Sequence, residues 1–158
     1  MNLGDPVYTI FVQLTLATLF GMVLGIERVL AGRTAGPRTY GLVALGSALV
    51  TILSQGISPL YPDIRGLDPA HMIAAVITGI GFIGAGLIVF RESRVSGLTT
   101  AAGIWVAAII GIAIGFKFYL VSFFATFLVL FVFTIMWHIE KKITHLFKVD
   151  ENDPNHVE

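Results

Sequence analysis

The chain has 158 residues, of which 56% are hydrophobic and 13% charged. Soluble domains carry about 25% charged residues, so this composition describes an integral membrane protein. There is no cysteine, which excludes disulfides, thiol nucleophiles and cysteine-ligated metals, and a formal net charge of zero leaves no bulk attraction to nucleic acid.

Five stretches contain no Asp, Glu, Lys or Arg: residues 7–26, 40–57, 72–90, 98–116 and 118–137. Each has 18 to 20 residues, enough to cross a bilayer as a helix. The predicted fold is an all-α integral membrane protein, a five-helix bundle over residues 1–148.

The first segment does not read as a signal peptide. No basic residue precedes it, and it ends in Glu27-Arg28 rather than at a small-residue cleavage site. Ala17, Gly21 and Gly25 recur at every fourth position. Lipid is as apolar as leucine, so membrane helices associate mainly where small residues let backbones approach. These three positions therefore mark a packing stripe, as Gly41, Ala44 and Ala48 do on the second segment.

The third segment contains Gly79-Ile80-Gly81-Phe82-Ile83-Gly84, a match to the G-x-G-x-x-G dinucleotide fingerprint. That turn needs a strand before it and an acid about 20 residues on. Here the glycines sit inside an apolar run, and residues 103–105 hold no carboxylate. They read instead as packing surface. Ala74, Thr78, Gly81 and Ala85 form one stripe, Ala75, Gly79 and Gly86 a second, and Gly84 lies on another side. Small residues on several faces predict the third helix at the centre of the bundle.

The fourth segment repeats the spacing with Gly103, Ala107, Gly111 and Gly115. Only Lys117 separates it from the fifth, so that turn is tight. The fifth has no glycine and six phenylalanines, Phe118, Phe123, Phe124, Phe127, Phe131 and Phe133. This composition predicts a lipid-facing helix, with Tyr119 and Trp137 as interface anchors. Beyond it, Ile139, Ile143, Leu146 and Phe147 share a helical face, which predicts a helix continuing out of the membrane or lying along it. Residues 149–158 form an acidic tail expected to be disordered.

Basic residues set the orientation. Arg28, Arg33 and Arg38 fall in loop one, Arg91 and Arg94 in loop three, and Lys141, Lys142 and Lys148 after the last span. Against these eight stand only Arg65 and Lys117. The N-terminus is expected outside and the C-terminus in the cytoplasm. Loops one and three also resemble each other. GPRTYGLV at 36–43 and GLTTAAGI at 97–104 align on a glycine and a threonine, and both loops start with an acid beside an arginine, Glu27-Arg28 and Arg91-Glu92. A parallel repeat of helices one–two and three–four fits this pattern.

The two loops hold the densest polar chemistry. Glu27, Arg28, Arg33, Arg38, Thr39, Arg91, Glu92, Arg94, Thr99 and Thr100 are expected to form one cytoplasmic cluster. The threonines can cap helix starts, and helix N-termini beside arginines favour a phosphate-bearing ligand, an anionic lipid or a partner. The plainer reading is that the arginines set topology and the threonines merely cap. Inside the membrane the polar groups are uncharged: Gln13, Thr15, Thr18, Ser47, Thr51, Ser54, Gln55 and Thr78. Carriers of charged solutes usually place ionisable groups there. The carboxylates lie at the edges, Glu27 and Glu92 inside and Asp5, Asp63 and Asp68 outside, with His71 near Asp68 as a surface pair. No metal site, cofactor or nucleophile–base pair emerges, and no enzyme is expected.

LGIERVLAGRTAGPRTYGLVALG at 24–46, AAVITGIGFIGAGLIVF at 74–90 and VSGLTTAAGIWVAAIIGIAIG at 95–115 together resemble the MgtC/SapB family of bacterial membrane proteins. The resemblance implies that family's five-helix hydrophobic domain, without the soluble C-terminal domain of its longer members. It also implies a cytoplasmic-membrane protein of stress adaptation. Relatives are linked to growth at low Mg²⁺, to virulence and to restraint of the F-type ATP synthase. The expected role is a regulator acting on a membrane partner such as the F-type ATP synthase, with a homodimer as the expected assembly in the bilayer. The alternative is a transporter or channel for Mg²⁺ or another small solute.

Overall fold

The computed structural model describes residues 6–57, 68–91 and 94–150. It contains helices α1 (Pro6–Leu30), α2 (Pro37–Ile57), α3 (Pro69–Leu87), α4 (Leu98–Gly115) and α5 (Tyr119–Asp150). All five are long and apolar enough to cross a membrane. Arg65 and Asp63 of loop two lie outside the described residues, as does the tail beyond Asp150; Val149 and Asp150, assigned to that tail, close α5.

Local chemistry sets the helix ends. α1, α2 and α3 each open on a proline, whose missing N–H costs nothing in the first turn. Asp68 caps α3 by accepting the Ala70 N–H at 3.2 Å. α1 closes on Gly32, left-handed at φ +71°, with the Arg33 N–H reaching the Arg28 carbonyl at 2.8 Å. α4 closes the same way on Lys117 at φ +66°, with Phe118 donating to Ala113 at 2.9 Å. These are Schellman closures, and the second makes the tight α4–α5 turn.

The fold is all-helical apart from a short hairpin in the connection between α3 and α4. β1 (Val89–Arg91) and β2 (Arg94–Ser96) pair antiparallel, with Phe90 opposite Val95. The third helix therefore stops at Leu87, short of the end of its apolar segment. Val89, Phe90 and Val95 are residue types that favour strands, so an apolar run there need not continue as helix.

The centre of the bundle is α4, not α3. α4 packs on α1, α2, α3 and α5, and 56% of its span is buried against 11% of α3. The glycine stripes of α1 and α4 explain this placement. A Cβ on Gly111 would run into the Ala44 backbone of α2, and one on Gly21 would stand 2.5 Å from the Tyr40 carbonyl oxygen. Gly25 meets Pro37, and Gly103 meets Tyr40 and Phe133. By contrast Gly79, Gly81 and Gly86 of α3 have open space, and Gly84 makes only ordinary contact with Ala101 at 3.7 Å. A stripe of small residues permits close approach but does not say whether the neighbour is in the same chain. α5 is peripheral as expected. Phe118, Phe123, Phe124, Phe127 and Phe131 are exposed, and only Phe133 turns inward.

Candidate functional site

The predicted polar cluster is partly assembled where α1 ends and α4 begins. Arg28, in the last turn of α1, is 3% exposed. Its Nε donates to Glu27 Oε2 at 2.5 Å, and its guanidinium carbon lies 3.7 Å from the centre of the Phe133 ring on α5. A buried charge needs a partner, and here a carboxylate and an aromatic face supply it. Beside them Tyr40, fully buried on α2, donates its hydroxyl to the Thr100 carbonyl at 3.3 Å. Four helices thus meet through one arginine, one tyrosine and the first turn of α4.

The other predicted residues divide. Thr99 and Arg33 line a cavity of about 180 Å³ with Arg28. Thr100 is buried. Neither threonine stands at the helix cap, because Gly97 occupies that position with φ +90°. Arg38 is exposed and Thr39 half-buried, away from this contact set. Arg91 and Arg94 face each other across the hairpin by backbone register. Glu92, with the side chains of Arg91 and Arg94, lies outside the described residues.

At the opposite end of α4 a second polar knot holds the helix. Gln13 Nε2 donates to the Ile114 and Gly115 carbonyls at 2.9 and 2.8 Å, and Gln55 Nε2 donates to Gly115 at 3.0 Å. A helix leaves its last carbonyls unpaired, and two amides from α1 and α2 take that role for α4. The Gln13 and Gln55 side chains were legible as polar groups in the membrane; their target was not. Tyr40 and Phe133 carried no such signal, since a tyrosine at a segment edge reads as an interface anchor and a phenylalanine among six reads as lipid-facing. Among the described residues no three histidine, aspartate or glutamate side chains stand close enough to hold a metal ion.

Comparison with known proteins follows the same helices. Residues 14–142 match the family model described as the MgtC family. YhiD of Escherichia coli K12, named as a candidate magnesium transporter, is 42% identical over 126 residues, covering 78% of this chain and 59% of YhiD. SapB of Bacillus subtilis is 39% identical over 141 residues, covering 87% of this chain and 60% of SapB. MgtC of Salmonella typhimurium is 35% identical over 134 residues, covering 85% and 55%. The chain thus spans little more than half the length of these relatives. No solved structure matches it.

Proposed function

Because the chain belongs to the MgtC family, we propose that it is a stress-adaptation protein of the bacterial cytoplasmic membrane that regulates a membrane partner and passes no solute itself. The observation that carries this reading is the filled axis of the bundle. α4 occupies it, packed at backbone distance against α2 through Gly111 and tied at its end by Gln13 and Gln55. Apart from Arg28 in the last turn of α1, the buried polar groups of the described spans are amides and hydroxyls, several of them bonded to carbonyls, rather than a file of ionisable residues. Transport of Mg²⁺ is the competing reading, and the name of YhiD favours it.

In this reading the Arg28 end of the bundle faces the cytoplasm, following the distribution of basic residues. Helix pairs α1–α2 and α3–α4 form a parallel repeat, with Gly36 and Gly97 at matching positions. Partner contact falls on α3, where a Cβ added at Gly79, Gly81 or Gly86 would meet nothing within 4 Å among the described residues. A second copy is the occupant this small-residue surface suits, and a partner such as the F-type ATP synthase would engage the resulting dimer.

Gly81→Leu tests this assignment. Gly81 is exposed and an added Cβ meets nothing within 4 Å among the described residues, so detergent melting should stay within about 1 kcal/mol of the parent, helped by the better helix propensity of leucine. Growth of a deletion strain at low Mg²⁺ should not be restored by this variant, and crosslinked dimer should fall. Full complementation with normal crosslinking would remove α3 as the contact.

A further inference from the structure

Among the described residues, the start of α4 lacks hydrogen-bond acceptors. A helix leaves its first N–H groups without internal partners. Gly97 stands at the N-cap and has no side chain to supply one. A Cβ there would strike the Leu87 carbonyl, so the packing closes this position to any capping residue. The first bond of the helix is Ala101 N–H to the Gly97 carbonyl at 2.8 Å, and the N–H groups of Leu98, Thr99 and Thr100 have no partner among the described residues.

Arg28 adds an independent observation. It is 3% exposed, with its Nε on Glu27 and its guanidinium face over Phe133. Among the described residues the hydrogen bond that Arg28 makes is from Nε, and its two terminal nitrogens do not count among the fully enclosed, unpartnered atoms, which leaves them facing accessible space. Arg28 lines the cavity of about 180 Å³ together with Arg33, Thr99 and Trp137. Glu27 offsets one of the two arginines, and Arg33 makes no ion pair among the described residues. The corner therefore keeps net positive charge, free donors and a helix N-terminus, the combination that binds an oxyanion.

A second, apolar groove adjoins this cavity. Thr99, Val132 and Phe133 also line a groove of about 320 Å³ between α4 and α5, walled by Ala102, Val106 and Leu128. An oxyanion site that shares three lining residues with an apolar groove, Thr99, Val132 and Phe133, matches one kind of molecule. We propose that this corner of α1, α4 and α5 binds an anionic phospholipid, with its phosphate among Arg28, Arg33 and Thr99 and one acyl chain along the α4–α5 groove. This site is independent of whether the chain regulates a partner or passes a solute. A soluble phosphate would use only the first cavity, so the two sources are separable.

The test uses the full chain, purified in detergent and observed by native mass spectrometry. Phosphatidylglycerol and phosphatidylcholine of matched chain length are added in turn. One phosphatidylglycerol should be retained, and phosphatidylcholine held roughly fivefold less well, the usual effect of one basic residue on an anionic lipid. Arg33→Gln changes an exposed side chain and should erase that preference. Ala102→Phe, also exposed, fills the groove and should lower retention of phosphatidylglycerol. Millimolar glycerol phosphate should not displace the lipid. Equal retention of both lipids, or no response to Arg33→Gln and Ala102→Phe, would overturn the proposal. Displacement by glycerol phosphate would overturn it too, in favour of a soluble phosphate.

Discussion

Gly111→Ala should destabilise the bundle by about 3 kcal/mol or more, the upper range for forcing extra volume into a packed core. The new Cβ would meet the Ala44 carbonyl oxygen and its attached carbon, all backbone of α2. A flexible side chain could turn away; a helix backbone must move as a body. α2 in turn packs on α1, where Gly21 and Gly25 leave as little room against Tyr40 and Pro37. Gly46→Ala is the control. It lies on the same α2, with nothing within 4 Å of the added methyl, and should be neutral or gain up to about 1 kcal/mol from helix propensity. Thermal unfolding of both variants in one detergent gives the comparison. Similar melting temperatures would mean that α4 does not occupy the axis.

The second large effect is expected at Glu27 and Arg28. Removing one partner of a buried pair leaves the other charge uncompensated, at a cost of about 3–5 kcal/mol. Glu27→Gln strands the Arg28 guanidinium, of which only the Phe133 face then remains as a partner among the described residues. Arg28→Met strands the Glu27 carboxylate, whose side chain is 15% exposed. The double variant removes both charges and puts apolar volume over Phe133. It should be more stable than either single variant, and a double-mutant cycle in thermal unfolding would show the coupling. Additive losses would mean that the two side chains act separately and that the salt bridge does not organise this corner.

Much of the fold was legible in residue order, because a bilayer leaves few solutions. Uninterrupted apolar segments located five spans, Lys117 located a tight turn, and the glycines of α1 and α4 located real backbone contacts. The rank of the helices was not legible. α3 and α4 carry similar small-residue stripes, and periodicity cannot tell a surface that meets its own chain from one that meets another. The candidate site divided along the same line. Glu27, Arg28 and Thr100 were marked by polarity beside apolar segments, and they do converge on the start of α4. Tyr40 and Phe133, which complete the contact, come from segments far apart in sequence and only tertiary packing brings them in. The short hairpin at Val89–Ser96 was hidden because its apolar residues prolong the run of α3.

A helix-filled axis makes a direct claim about solute movement. The full chain should be reconstituted into liposomes holding a Mg²⁺-sensitive dye, and Mg²⁺ entry followed across a range of protein-to-lipid ratios. The account predicts entry no faster than in protein-free liposomes at every ratio. Entry that rises with protein and falls in the Glu27→Gln variant would contradict it and make the chain a transporter.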